Sequence, residues 1–211
     1  VEAGHLPPAL GEGMAGMAFL RPTFIEEASA FIRGDGLSLR PPSMGDYEGW
    51  AHVRRISRDH LVPFEPQWAS DELSRSAFRE RVRLYQRNRR DGTGYAFFIF
   101  RDADRSLMGA LTFSNVRRGI TQAASLGYWM GTPYTRQGNM QRALAAVLPF
   151  AFEDLRLHRL EAACLPHNLG SQRVLESNGF VREGLARRYL RINGLWQDHV
   201  LFALIEEDWT A

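Results

Sequence analysis

The residues best suited to chemistry lie between positions 126 and 171. A strand-like run, Leu126-Gly127-Tyr128-Trp129-Met130, leads through a Gly-Thr-Pro turn into Thr135-Arg136-Gln137-Gly138-Asn139-Met140-Gln141 and a long apolar-striped segment. Backbone N–H groups at a helix start lack intrahelical partners and carry positive partial charge, so they suit a phosphate or pyrophosphate. Gly138 lets the backbone approach an anion and Arg136 adds a full charge, although the same residues also fit an ordinary glycine turn beside an exposed arginine. Neither a Gly-Lys-Ser/Thr phosphate loop nor a dinucleotide fingerprint is present. Further on, Asn168 and Ser171 mark a second helix start, where Asn168 is a strong N-cap and Ser171 stands where a capping partner would. Glu161, on the preceding strand, is the nearest carboxylate, able either to act as a base or to pair with Arg159.

Elements to position these residues are legible on both sides. Residues 37–40 alternate as a strand, and a helix capped by Ser43 runs through Tyr47, Trp50 and Val53. The prolines at 63 and 66 predict extended backbone over 60–66. A second amphipathic helix is expected over about 71–89. An antiparallel meander follows over 95–101, 107–114 and 123–130, with a polar connection at 116–122. Met140, Leu144, Val147, Leu148, Ala151, Phe152 and Leu155 line one helix face, interrupted by Pro149, which costs about 3 kcal/mol inside a helix. Then come a strand at 159–165, a helix at 169–178, and a hairpin of 185–192 and 196–205 turned by Asn193-Gly194. Trp196 and Trp209, among apolar neighbours, read as core.

Composition bounds the reading. The 211 residues are 45% hydrophobic, enough for one α/β domain, taken as 37–211 behind an N-terminal extension of 1–36. That Pro/Gly-rich extension reads either as an expression remnant or as a misplaced start before Met14 or Met17. All 26 basic residues are arginine, which excludes a catalytic lysine, and the 24 acidic residues interleaved with them argue against nucleic acid. Cys164 is the sole cysteine, expected as a buried thiol, and His158, His167 and His199 show no metal spacing. With neither a membrane-length apolar run nor a signal-peptide pattern, the expectation is a soluble cytoplasmic protein without a metal, either a monomer or a homodimer.

The 135–140 loop resembles the acetyl-CoA loop of the GNAT superfamily, Gln/Arg-x-x-Gly-x-Gly/Ala, with Thr135 and Met140 as departures at its ends. Phe113-Ser114-Asn115-Val116, Pro166-His167-Asn168, Asn178-Gly179-Phe180, Glu183-Gly184 and the run from Tyr189 to Val200 are similar to the ribosomal-protein N-acetyltransferases of the RimJ/RimL branch, closer to RimJ. The resemblance covers about 37–209. It implies a twisted, mixed but mainly antiparallel sheet with helices on both faces, splayed where acetyl-CoA enters. By the same resemblance Tyr128, Trp129 and Met130 would pair with pantetheine and offer oxyanion donors, and Arg136, Gln137, Gly138, Asn139, Met140 and Gln141 would hold the pyrophosphate. Asn168 would lie near the pantetheine arm, Ser171 would protonate the departing sulfur, and Phe64 and Glu65 would shape the acceptor groove. The glutamate of RimL-type enzymes corresponds to Leu190, which leaves Glu161 or a water relay as the base. The implied acceptor is the N-terminal amine of a ribosomal protein beginning with Ala or Ser. A small amine, or acyl-CoA binding without turnover, are the rivals.

Overall fold

The strand Tyr95–Arg101 is buried along nearly its whole length, and its side chains divide between two cores. Phe97 and Ile99 belong to one, Phe98 and Phe100 to the other, as the two-residue period of a strand requires. A strand apolar on both faces needs cover on both. The computed structural model describes residues 31–209, and within them eight strands make one sheet: β1 Ile32–Gly34, β2 Leu37–Arg40, β3 Tyr95–Arg101, β4 Leu107–Arg117, β5 Ala123–Met130, β6 Arg159–Cys164, β7 Val181–Ile192 and β8 Leu195–Ile205. Their order is β1-β2-β3-β4-β5-β6-β8-β7, antiparallel throughout except for the parallel pair β5–β6.

Helices α1 Tyr47–Ile56, α2 Arg58–Leu61 and α3 Arg75–Arg90 precede the meander, while α4 Asn139–Pro149 and α5 Leu169–Glu176 follow it. Trp50, Ala51 and Val53 of α1 and Phe78 and Val82 of α3 meet Phe98, Phe100, Leu107 and Ala110 on one face. Met140, Ala143, Leu144, Val147 and Leu148 of α4 meet Leu37, Leu39, Phe97, Ile99 and Leu111 on the other. Because β5 and β6 run parallel, their connection must cross over a face, and α4 is that crossover. The expected mixed, mainly antiparallel sheet with helices on both faces is the fold observed.

Several local expectations differ. Ile32–Gly34, ahead of the Gly34-Asp35-Gly36 turn, pairs with β2, so part of the segment read as extension adds a strand; expectations for residues 1–30 lie outside the described residues. Residues 60–66 are not extended throughout: His60 and Leu61 end α2, and Val62–Phe64 is a 3-10 turn with Pro63 in its first positions. A proline lacking its N–H is tolerated there because that donor has no partner in a first turn. Glu65, before Pro66, does adopt the extended conformation. Pro149 closes α4, and Phe150–Asp154 continues as a wider π-turn in which Leu155 N–H donates to the Phe150 carbonyl. Trp196 is 63% exposed, not core, because β8 has left the cover of β6 before reaching it. Trp209 does stack on Phe152.

Candidate functional site

The sheet opens where the candidate residues lie. β5 pairs with β6 from Ala123↔Arg159 to Leu126↔Ala162 and no further. β5 continues to Met130 on β4 alone, while β6 continues to Cys164 on β8 alone. The strands therefore part after Leu126, and one edge of Gly127–Met130 presents its backbone groups to a cleft. Polar backbone groups at such an edge demand partners, and an extended ligand chain can supply them.

Alternation along β5 sends Tyr128 toward the α4–α5 face and Trp129 to the opposite one, against the α1–α3 core. The Tyr128 hydroxyl lies 2.8 Å from Ser171 Oγ. Burial pushes the Tyr128 phenol well above its usual range, against the smaller lowering effect of the Ser171 hydrogen bond. Ser171 is held by Asn168, whose Oδ1 accepts from Ser171 N–H at 3.1 Å and caps α5. Cys164 is buried, and burial raises its thiol above the ordinary range. Tyr128 and Ser171 thus form a proton-bearing pair at the cleft, a pairing invisible in the sequence, where 43 positions separate them.

The loop before α4 suits an anion. Gly138, the N-cap, has φ 73° and offers no side chain to the first N–H groups, and Arg136 also lies in the left-handed region at φ 59°. A Cβ at Gly138 would occupy the space before the helix start, with the nearest atom, on Arg142, at 3.8 Å. No acidic residue occurs from 131 to 152, so nothing opposes a bound phosphate. The side chains of the expected set divide, however. Asn139 donates to the Tyr134 carbonyl and accepts from Arg142, Gln137 donates to the Pro133 carbonyl, and Met140 is buried in the core. Asn139 and Met140 can reach an anion only through backbone N–H; Arg136 is the cation at hand. Met130 is likewise buried.

On the Trp129 side lies a cavity of about 330 Å³, lined by Ala110, Thr112 and Gly127 to Trp129 of the sheet, Arg54 of α1, Glu65 to Trp68, Glu72, and Arg81 and Tyr85 of α3. Buried Arg54 forks onto Glu65 at 3.0 and 2.6 Å, and its guanidinium lies 4.4 Å from the Trp68 ring and 5.0 Å from Trp129. Trp68 Nε1 also donates to Glu65, and Arg81 pairs with Glu72 at 2.5 Å. Glu65 is part of the cavity wall. Phe64 is not among the lining residues; its ring packs on His167, 5.7 Å away, and so joins the 3-10 turn after α2 to the loop before α5. Sequence reasoning missed Arg54, Trp68, Glu72, Arg81 and Tyr85. The one available signal was Trp50 and Arg54 one turn apart on α1, and it points equally to packing. Glu161 accepts from Arg117 and Arg159, so service as a base would break two ion pairs.

A sheet split at a parallel pair, an anion-ready helix start on one face and a cavity on the other can be compared with known proteins. Residues 37–181 match the family model described as "Acetyltransferase (GNAT) domain". The chain is a GNAT-family N-acetyltransferase. It is 35% identical over 167 residues to the [Ribosomal protein uS5]-alanine N-acetyltransferase of Escherichia coli, covering 78% of this chain and 86% of that one. It is also 35% identical over 177 residues to the probable N-acetyltransferase YjcK of Bacillus subtilis, covering 84% and 98%. The solved structure of Mycobacterium smegmatis RimJ in complex with CoA-disulfide superposes with a TM-score of 0.78 at 33% identity, covering 85% of this chain and 87% of that one. Among the described residues no group of three or more His, Cys, Asp and Glu could hold a metal ion, and no helix is long and apolar enough to cross a membrane.

Proposed function

We propose that this acetyltransferase acetylates the N-terminal amine of a protein, within the class of ribosomal proteins beginning with Ala or Ser. The observation that supports this acceptor best is the charge balance of the cavity beside Trp129: Glu65 and Glu72 are matched by Arg54 and Arg81. A polyamine or aminoglycoside would call for surplus acid, whereas a peptide end with its amides and a small first side chain suits a neutral, polar hollow. The named activities of the uS5-alanine and ribosomal-protein-serine relatives point to the same class. A ribosomal acceptor places the reaction in the cytoplasm.

In this reading Arg136 and the N–H groups at the start of α4 bind the pyrophosphate of acetyl-CoA, and the free edge of β5 aligns its pantetheine arm. The acceptor amine, entering beside Trp129, gives its lone pair to the thioester carbonyl carbon, forming the C–N bond as the C–S bond breaks. N–H groups on the free edge of β5 stabilise the charge developing on oxygen, each such donor worth about 3–4 kcal/mol in other acyl transfers. Ser171 gives its proton to the departing thiolate and recovers one through Tyr128, which takes one from water in turn. The amine's own proton leaves to water; with a pKa of about 7.7–8.0 it needs no strong base. Thiol release from acetyl-CoA should therefore occur with peptides beginning Ala or Ser and not with Pro-initial peptides, polyamines or aminoglycosides. Turnover confined to a small amine would replace this acceptor.

A further inference from the structure

We propose that the outer face of α3 is a docking surface for the phosphate backbone of folded RNA. Acidic and basic residues interleave over most of the chain, but not here. α3 carries seven arginines against Glu80 alone, while the whole molecule carries +2, so the rest of the chain is net acidic. Phe78 and Val82 turn the apolar side of α3 into the core beside Trp50 and Phe98. Arg75, Arg79, Arg83, Arg87 and Arg90 recur at three- and four-residue steps on the other side, and all five are exposed. They form one row of positive charge about 22 Å long.

Neither the helix dipole nor neighbouring acids account for that row. A helix start favours acid, yet the first turn of α3 has none and begins with Arg75. Like charges four residues apart destabilise a helix by about 0.2–0.5 kcal/mol per pair, so the run from Arg75 to Arg87 works against the fold. Arg75 meets Glu48 at 3.5 Å, Arg83 meets Glu80 at 2.8 Å and Arg90 meets Asp91 at 3.6 Å, all exposed pairs that hold their partners weakly. Arg79 and Arg87 form no ion pair among the described residues. The row also selects its partner. Membrane insertion needs an exposed apolar face, and Leu84 is the one large apolar side chain that α3 exposes. No aromatic ring stands in the row to stack an unpaired base. Guanidinium groups fork onto phosphate oxygens, so backbone and not base is read, as when paired RNA is recognised by shape. Arg81 and Tyr85 of the same helix line the acceptor cavity, and RNA held on α3 runs beside it. A protein amine presented by a ribonucleoprotein is thereby brought to the cavity, while the RNA binding itself does not depend on which amine is acetylated.

The test titrates the full chain with a labelled RNA hairpin of arbitrary sequence, followed by fluorescence polarisation over a range of salt. The logarithm of the binding constant should fall against that of the salt concentration with a slope of about −4, as five neutralised phosphates of a duplex give. Arg79→Gln combined with Arg87→Gln should weaken binding at least about tenfold and make the slope shallower by about 2. Lysine at both positions should restore binding, since phosphate accepts either cation. The glutamine variant should bind acetyl-CoA as the wild type does and unfold at the same or a higher temperature, because like-charge pairs have been removed. RNA binding that the glutamine variant leaves unchanged, or that salt does not weaken, overturns the docking surface. So does tighter binding of polyglutamate than of RNA, which would make the partner an acidic protein.

Discussion

Ser171 is the residue on which two roles meet, since its backbone N–H is capped by Asn168 while its hydroxyl faces Tyr128. The cap uses the amide and leaves the oxygen free, so the roles separate by mutation. Ser171→Ala should reduce kcat by about tenfold or more, within the range of acid–base contributions, with little change in the acetyl-CoA dissociation constant. Single-turnover kinetics beside calorimetric titration would show this; unchanged kcat would leave Ser171 structural. The pH profile follows from the same pair. The acceptor amine must be neutral, so kcat/KM should rise with pH through about 7.7–8.0. Burial keeps the proton on Tyr128 beyond its usual alkaline range, so no falling limb should appear at the ordinary tyrosine pKa of about 10. A fall beginning there would contradict the effect of burial on Tyr128, whereas a Tyr128→Phe variant of full activity would remove Tyr128 from the proton path.

At the scale of elements, the start of α4 and the β4–β5 pair answer for binding. Gly138→Asp would put an L side chain into a positive-φ position and a negative charge at the helix start. The acetyl-CoA dissociation constant should rise at least about tenfold, which is about 1.4 kcal/mol, in a protein whose circular dichroism is unchanged. Gly109 stands where a Cβ would overlap the Trp129 carbonyl and lie close to Met130. Gly109→Ala should therefore push β5 off β4 at the cleft and lower both stability and turnover, measurable by thermal unfolding and steady-state assay. Another small element is held by charge. Burial raises the Asp46 carboxyl, but hydrogen bonds from Arg40 and Ser43 outweigh it, and the net shift is downward. A folded-state pKa below the unfolded value adds stability above about pH 3.9 that is lost as pH falls through the lower value. The stability gap between wild type and Asp46→Asn should accordingly close in strong acid.

Across the whole molecule, Arg54 ties together parts that come from distant stretches of sequence. It reaches from α1 to Glu65 in the loop and stands within 3.8 Å of Glu72, which Arg81 of α3 also holds. Removing one member of a buried set leaves the others uncompensated, typically at a cost of about 3–5 kcal/mol. Arg54→Ala should show that loss in chemical denaturation and should also impair acceptor use. Arg54→Lys should not restore acceptor use, because the fork onto both Glu65 oxygens needs a planar guanidinium.

The sequence alone determined the strands from residue 37 onward, though not β1, together with the crossover helix and the hairpin, because period-two and period-3.6 patterns and the Asn193-Gly194 turn are local; both turn residues indeed have positive φ. It also displayed the anion-ready loop, since glycine, arginine and the absence of acid are read directly from composition. Side-chain direction was not local. Asn139 turned back into its loop and Glu161 was taken by two arginines, choices made by neighbours far along the chain. Trp196 misled because exposure depends on where β6 stops, not on the residues beside it. Only the tertiary structure brought Tyr128 to Ser171 and assembled Arg54, Glu65, Glu72 and Arg81 around one cavity. Hydrogen bonds and ion pairs act over a few ångströms in space, and those distances are set by how the sheet pairs and parts.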